Sequence, residues 1–132
     1  MPGITLGRET LLDATLILIA GATNTWRLRW LRRMTDEHGA VIARPMDLSG
    51  HTARLHIRRD DRLILDLSDH IALADDGLIT ISAPSGLTAG MPATIGRWDL
   101  LIIRDDDVTR LAAGTARIIP ITSIAQEAAP WA

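Results

Sequence analysis

The sequence contains no cysteine, lysine, phenylalanine or tyrosine, and these absences exclude several classes of function. Without cysteine the chain can form no disulfide framework and can supply no thiolate to catalysis or to a metal site. Without lysine, all fourteen positive charges are arginines, and sixteen acidic residues outweigh them to give a formal net charge of −2. Because nucleic-acid binding rests on excess positive charge, the composition argues against a nucleic acid as partner.

Long hydrophobic runs are also missing. The longest one, Leu11–Ala22, is interrupted by Asp13 and is shorter than the ~20 residues that a membrane-spanning helix needs. The acidic residues Glu9 and Asp13 are also untypical of a signal peptide, so we expect no membrane association. Since 132 residues leave room for about one domain, we predict a single domain over 1–122 and a C-terminal tail over 123–132.

What the sequence does contain is repeated alternation of apolar and polar residues. In Trp26–Trp30, for example, two arginines alternate with three apolar side chains, which is typical of a strand with one buried face. No segment of twelve or more residues keeps a clean helical period, although 8–19 is ambiguous. The predicted strands are Leu16–Ala20, Thr25–Trp30, Ala53–Arg58, Arg62–Ser68, Leu78–Ala83, Trp98–Arg104 and Ala113–Ile119. Short strands at this spacing predict an all-β fold, either a sandwich or a barrel.

Turn-forming residues separate these strands. Asp36–Gly39 and Asp75–Gly77 predict hairpin loops, while Asp60–Asp61 and Asp105–Asp107 predict tight turns. The stretch Ser85–Pro92 contains two glycines and a proline and predicts a longer connection with one helical turn.

No motif predicts catalysis or metal binding. The four histidines lack the spacing of a metal site, and Asp105–Asp107 lacks the alternating acids, glycine and distant glutamate of a calcium loop. No serine stands in a nucleophile-elbow context, and no phosphate-binding glycine loop is present. We therefore predict no catalytic residue, no metal and no cofactor, and a protein that is not an enzyme. The histidines are His38, His51, His56 and His70.

Three of the four tryptophans are predicted to lie in the core. Trp26, Trp30 and Trp98 fall on the apolar side of their strands, where large rings contribute much of the buried area. Trp131, close to the end of the sequence, must either dock against the domain or stay exposed.

A local group of arginines allows two interpretations. Arg27, Arg29, Arg32 and Arg33 form either a solvated strand face or part of a protein interface, where arginine is enriched. The tryptophans nearby point to the opposite side of the strand, which is unlike a nucleic-acid surface.

Two strands are apolar on both faces, and this predicts an interface. In 16–19 and 100–103 every residue is aliphatic, yet one sheet of a sandwich buries only alternate residues. The other half of the first row, either Leu16 and Leu18 or Ile17 and Ile19, needs a second apolar surface. A loop folded over the sheet could supply it, but we favour a subunit interface and hence a homo-oligomer. The predicted interface residues are Leu16, Leu18, Arg27, Arg29, Leu100 and Ile102.

Two segments resemble a known family. The stretch ARPMDLSGHTARLHIR (43–58) resembles the early part of immunoglobulin-like domains in bacteriophage tail and baseplate proteins, which share a hydrophobic-Asp-Leu-Ser/Thr-Gly turn before a strand. The second half of that domain is similar to 74–119, with Leu87–Gly90, the aromatic-Asp-Leu strand start at Trp98–Leu100, an acidic turn and a glycine-containing last strand. The resemblance spans roughly 15–119, and the N-terminal domain of upper baseplate proteins shows it best.

This resemblance implies an immunoglobulin-like antiparallel β-sandwich of about seven strands and a structural protein of a phage or prophage virion. It implies a tail or baseplate connector that binds other tail or baseplate proteins, is located in the virion or in the host cytoplasm before assembly, and has no catalytic residues. The alternative is a sandwich that binds a carbohydrate or cell-surface ligand through its loops. Tryptophan in a loop beside acids would favour sugar binding, whereas tryptophans in the core and an uncovered apolar strand face would favour assembly.

Overall fold

A computed structural model describes residues 12–123, and nearly all of them lie in β-strands or tight turns. One helical turn, α1 (Ser85–Thr88), and one 3-10 turn, Ser68–His70, interrupt the strands. The strands are β1 (Leu12–Asp13), β2 (Leu16–Ala20), β3 (Asn24–Arg29), β4 (Leu31–Thr35), β5 (Val41–Pro45), β6 (Thr52–Arg59), β7 (Arg62–Asp66), β8 (Ile71–Leu73), β9 (Leu78–Ala83), β10 (Thr94–Arg104) and β11 (Asp107–Pro120).

All seven strands predicted from alternation are present. The predicted turns are present as well, and they connect β4 to β5, β6 to β7, β8 to β9 and β10 to β11. Strands β2 and β9 have the predicted bounds, and the one-turn helix lies in the predicted connection between β9 and β10. Four further strands, β1, β4, β5 and β8, were not predicted. Of these, β1 and β8 are too short to show alternation, and the β4–β5 pair lacks a buried face that would impose it.

The larger sheet has the order β1-β11-β10-β6-β7, and β2 also pairs with β11. Strands β7, β6, β10 and β11 pair with one another in the antiparallel sense, as expected. Strands β1 and β2 pair with β11 in the parallel sense, which corrects the expectation of a wholly antiparallel sandwich. The chain turns at Gly21 and continues into the second sheet, so β2 has no hairpin partner to impose an antiparallel pairing.

The second sheet has the order β3-β9-β8, and the core lies between it and the larger sheet. Leu18 and Leu55 from the larger sheet and Ile79 from the second are fully buried in one hydrophobic cluster. The predicted all-β sandwich is confirmed. No helix in the described residues is long and apolar enough to cross a membrane.

A junction at Ala14 attaches the N-terminal strands to the larger sheet. The Ala14 N–H donates to the Ala113 carbonyl, and the Trp98 indole Nε1–H donates to the Ala14 carbonyl, each at 3.0 Å. Gly114 lies opposite Trp98, and a Cβ at Gly114 would stand 1.9 Å from the Ala14 oxygen. Only glycine therefore permits this close approach of the two backbones.

Candidate protein interface

The predicted apolar interface residues lie inside the monomer. Leu16, Leu18, Leu100 and Ile102 are at most 5% exposed and belong to the core cluster. These side chains are unavailable to a partner of the folded chain, which corrects their assignment to an interface. The physical reason is the two-residue period of a strand, which puts the even-numbered residues of β2 and β10 on the core face.

The odd-numbered residues include a group of isoleucines that the described residues leave exposed on the outer face of the larger sheet. Ile17 is 47% exposed, Ile95 61% and Ile119 38%. Arg117 pairs with Ile17 of β2 on one side and with Ile95 of β10 on the other, so the three residues form one row. Ile119 lies two residues further along β11 and pairs with the half-buried Ile19. We call Ile17, Ile19, Ile95 and Ile119, which lie around the exposed Arg117, the isoleucine patch.

The patch borders an edge strand, β2, whose outer backbone groups are partly capped. The Asn24 side chain accepts from the Ile19 N–H and donates to the Ile19 carbonyl, both at 3.0 Å. This amide therefore occupies one position at which another strand would pair. The side-chain face of β2 remains apolar, so contact through side chains is favoured there over addition of a strand.

The predicted arginine group is divided between two parts of the molecule. Arg27 is exposed on the outer face of the second sheet, and Arg29 forms an exposed ion pair with Asp76 at 3.1 Å. Arg32 and Arg33 lie beyond that sheet, on β4.

Strands β4 and β5 form an antiparallel hairpin that projects from the sandwich, which we call the arm (residues 31–45). Nearly all of its side chains are exposed on both faces, including Met34 at 43% and Val41 at 68%. The two strands of the arm pack mainly against each other. Its loop, 36–39, is at the position predicted from the sequence, but nothing in the sequence pattern shows that the hairpin leaves the core.

The base of the arm is held by backbone contacts to a tight turn. The Trp30 N–H donates to the Gly77 carbonyl, and the Met46 N–H donates to the Trp30 carbonyl, both at 2.9 Å. Gly77 has a positive φ of 82°, and a Cβ there would lie 2.5 Å from the Trp30 oxygen. The turn Asp75–Gly77 therefore packs directly against the backbone of Trp30, the residue before the arm.

The polar clusters of the sandwich are organised as turns. The Asp66 carboxylate accepts from the backbone and hydroxyl of Ser68 and lies 3.3 Å from Nε2 of His56. These Ser68 hydrogen bonds, with a smaller contribution from His56, lower the pKa of Asp66. In a catalytic triad histidine stands between serine and aspartate, whereas here the aspartate is central, so His56 is not placed to activate Ser68.

A second turn of the same sequence, Asp-Leu-Ser, precedes β6. Hydrogen bonds from the Ser49 side chain and N–H lower the pKa of Asp47, and the leucine between them is buried, as is the leucine between Asp66 and Ser68. Asp105–Asp107 is exposed, and no group of three metal-ligating side chains is assembled within 12–123.

The tryptophans of the described chain lie in or against the core. Trp30 and Trp98 are buried, and Trp26 is partly buried against the same cluster, as predicted. Trp131 lies outside the described residues, as does nearly all of the predicted tail. Among residues 12–123 no tryptophan stands in an exposed loop.

No protein-family model matches the sequence, and no curated protein matches it. Among solved structures, the chain is similar to one described as the N-terminal domain of phage TP901-1 ORF48. The two are 11% identical, the match covers 89% of this chain and 95% of that chain, and the TM-score is 0.39. A likeness at this TM-score carries no argument about the function of this chain.

Proposed function

We propose that this protein is a structural component of a phage or prophage virion, a tail or baseplate connector that acts through protein–protein contacts. The observation that carries the proposal is the isoleucine patch, a group of isoleucines around Arg117 that the described residues leave exposed. Large exposed aliphatic side chains grouped on a sheet are typical of interaction surfaces. The sequence resemblance to tail and baseplate domains supplies the virion context.

A carbohydrate-binding sandwich is less well supported. Sugar sites commonly use an exposed aromatic ring, whereas Trp30 and Trp98 are core residues and Trp26 packs against the core. The exposed surface instead offers aliphatic side chains and arginines, which suit a protein partner.

The virion role is tested by analysis of particles. Tails purified after prophage induction in the source strain should contain this chain in a fixed ratio to other tail proteins, as measured by quantitative mass spectrometry. Tail-assembly genes beside its own gene would agree with this. Intact tails that lack the chain would refute the proposed location.

The patch itself is tested by one substitution and a matched control. We expect Ile95→Asp to lower the amount of this chain in purified tails, because a carboxylate would have to be buried in an apolar contact. Leu63 is 46% exposed on β7, at the other edge of the same sheet and outside the patch, so Leu63→Asp should leave that amount unchanged. Quantitative mass spectrometry of the tails measures both, and equal effects would refute a specific role for the patch.

A further inference from the structure

The arm is poorly explained as a free-standing element. A two-stranded hairpin is marginal in water without a third strand or a helix packed on it, yet both faces of this one are exposed. One of these faces carries Arg32, Met34, Ile42 and Arg44, because alternate residues of a strand share a side. Arginine and methionine are both enriched in protein interfaces.

The charges on this face are unbalanced. Arg32 lies directly opposite Arg44, a cross-strand arrangement that is destabilising for like charges. Within residues 12–123 the only arginine that forms an ion pair is Arg29, on the second sheet. The carboxylate of Asp36, in the arm's loop, accepts from the N–H groups of His38 and Ala40 at 2.9 and 2.8 Å. The arm carries three arginines against Asp36 and Glu37, and the face with Arg32 and Arg44 has no acidic partner among the described residues.

A matching acidic surface lies on the same chain. Asp105, Asp106 and Asp107 are exposed at the turn between β10 and β11, and none forms an ion pair with another described residue. This turn is at the end of the sandwich from which the arm projects. Thr52, the first residue of β6, pairs with Ile103 just before the turn, and the short segment 46–51 joins the arm to β6.

We propose that the arm of one copy docks on the Asp105–Asp107 turn of a second copy, with Arg32 and Arg44 facing its carboxylates. Because arm and turn lie at the same end of each molecule, a two-fold axis lets both contacts form at once and closes the assembly as a dimer. Each five-residue strand of the arm spans about 17 Å, enough to reach across to a neighbouring sandwich. Met34 and Ile42 supply apolar contact beside the charges.

This inference deepens the proposed assembly role by naming a partner for the arm. It is tested by exchange of charges between the two surfaces. The arm variant combines Arg32→Glu with Arg44→Glu, and the turn variant combines Asp106→Arg with Asp107→Arg. Asp105 is left unchanged because its backbone has a positive φ of 52°, which aspartate tolerates better than most residues.

Each variant alone should dimerise at least about a hundredfold more weakly than the wild type, since like charges then meet at both contacts. An equimolar mixture should restore dimers to near the wild-type dissociation constant, because glutamate then faces arginine at one contact and arginine faces aspartate at the other. Sedimentation velocity with one variant fluorescently labelled measures this. Circular dichroism and urea melts verify that both variants are folded.

A charge-matched control combines Arg27→Glu with Arg62→Glu, two exposed arginines outside the arm, and should dimerise as the wild type does. A monomeric wild type, an arm variant that still dimerises, or a mixture that is not restored would each overturn the proposed docking. Such results would leave the virion role untouched, because that role is decided by the composition of purified tails. Conversely, tails that lack the chain would refute the virion role, and the charge-exchange experiment would still decide whether the arm docks on a second copy.

Discussion

At the scale of single residues, alternation along each strand determines which side chains are buried. In β3 and the residue after it, Leu28 and Trp30 are buried, whereas Arg27 is exposed and Arg29 lies at the surface beside Asp76. The sequence predicted this arrangement because a single buried face imposes a two-residue period. In residues 16–19 both faces of the strand are apolar, so alternation cannot predict which face is buried. Only the structure shows that Ile17 and Ile19 face outward.

Replacement of Trp30 by alanine should lower the free energy of unfolding by about 3–5 kcal/mol, the usual loss for a large buried aromatic ring. Arg29→Ala should cost about 0–1 kcal/mol, because its ion pair with Asp76 is exposed to solvent. Urea unfolding followed by circular dichroism measures both variants. If the arginine variant proved the less stable of the two, the assigned burial of β3 would be wrong.

Ser68→Ala should raise the pKa of Asp66 towards its ordinary value of 3.8, because the hydroxyl that stabilises the carboxylate is removed. A carboxyl with a lowered folded-state pKa contributes stability above about 3.8, and this contribution is lost as the pH falls through the folded-state value. The variant should therefore lose less stability than the wild type over that acid range.

Carbon-detected NMR titration of the Asp66 carboxyl group measures the shift, and urea melts at about pH 5 and about pH 3 measure its effect on stability. Asp47, in the other Asp-Leu-Ser turn, is the internal control and should keep its lowered pKa in Ser68→Ala. An unchanged Asp66 pKa would contradict the role given to the Ser68 hydroxyl.

At the scale of elements, the sequence predicted the strands and turns that depend on local residue patterns. Alternation located the seven longer strands of the two sheets, and aspartate and glycine located the turns of four hairpins, β4–β5, β6–β7, β8–β9 and β10–β11. Alternation could not predict the parallel pairing of β2 with β11, because pairing partners are selected by tertiary contacts. It also could not show that the arm leaves the core, since an exposed hairpin and a buried one can share the same turn signal.

The docking of the N-terminal strands depends on Gly114. Gly114→Ala should displace Ala14, because the added Cβ would collide with its carbonyl oxygen, and should break the hydrogen bond from the Trp98 indole. We expect a loss of several kcal/mol and faster amide exchange in Leu16–Ala20, measured by hydrogen–deuterium exchange mass spectrometry.

Gly86 provides the matched control for this substitution. A Cβ at Gly86 meets nothing within 4 Å, and the residue lies in α1, so Gly86→Ala should be neutral or slightly stabilising. Equal losses of stability in the two variants would show that the close approach at Ala14 is not what makes Gly114 necessary.

At the scale of the whole molecule, the sequence predicted exposed apolar side chains but placed them incorrectly. Of the two rows that are apolar on both faces, 16–19 contributes Ile17 and Ile19 to the isoleucine patch, whereas Leu101 and Ile103 are half-buried outside it. The residues of β2 and β10 that were assigned to the interface are the buried half of the alternation. The arm was missed because its exposure depends on the packing of the rest of the chain and not on its own residues.

One core shared by both sheets predicts one cooperative unfolding transition, in which the arm has little part. Replacement of residues 32–44 by Asn-Gly would join Leu31 to Pro45, which already face each other, through a favoured two-residue turn. Because the arm packs mainly on itself, this variant should unfold in one transition and within about 1 kcal/mol of the wild type. Trp30 and Trp98 remain in the core as fluorescence reporters, and urea melts followed by fluorescence and by circular dichroism should coincide. A loss of several kcal/mol, or two separate transitions, would mean that the arm stabilises the sandwich and is not an appendage available to a partner.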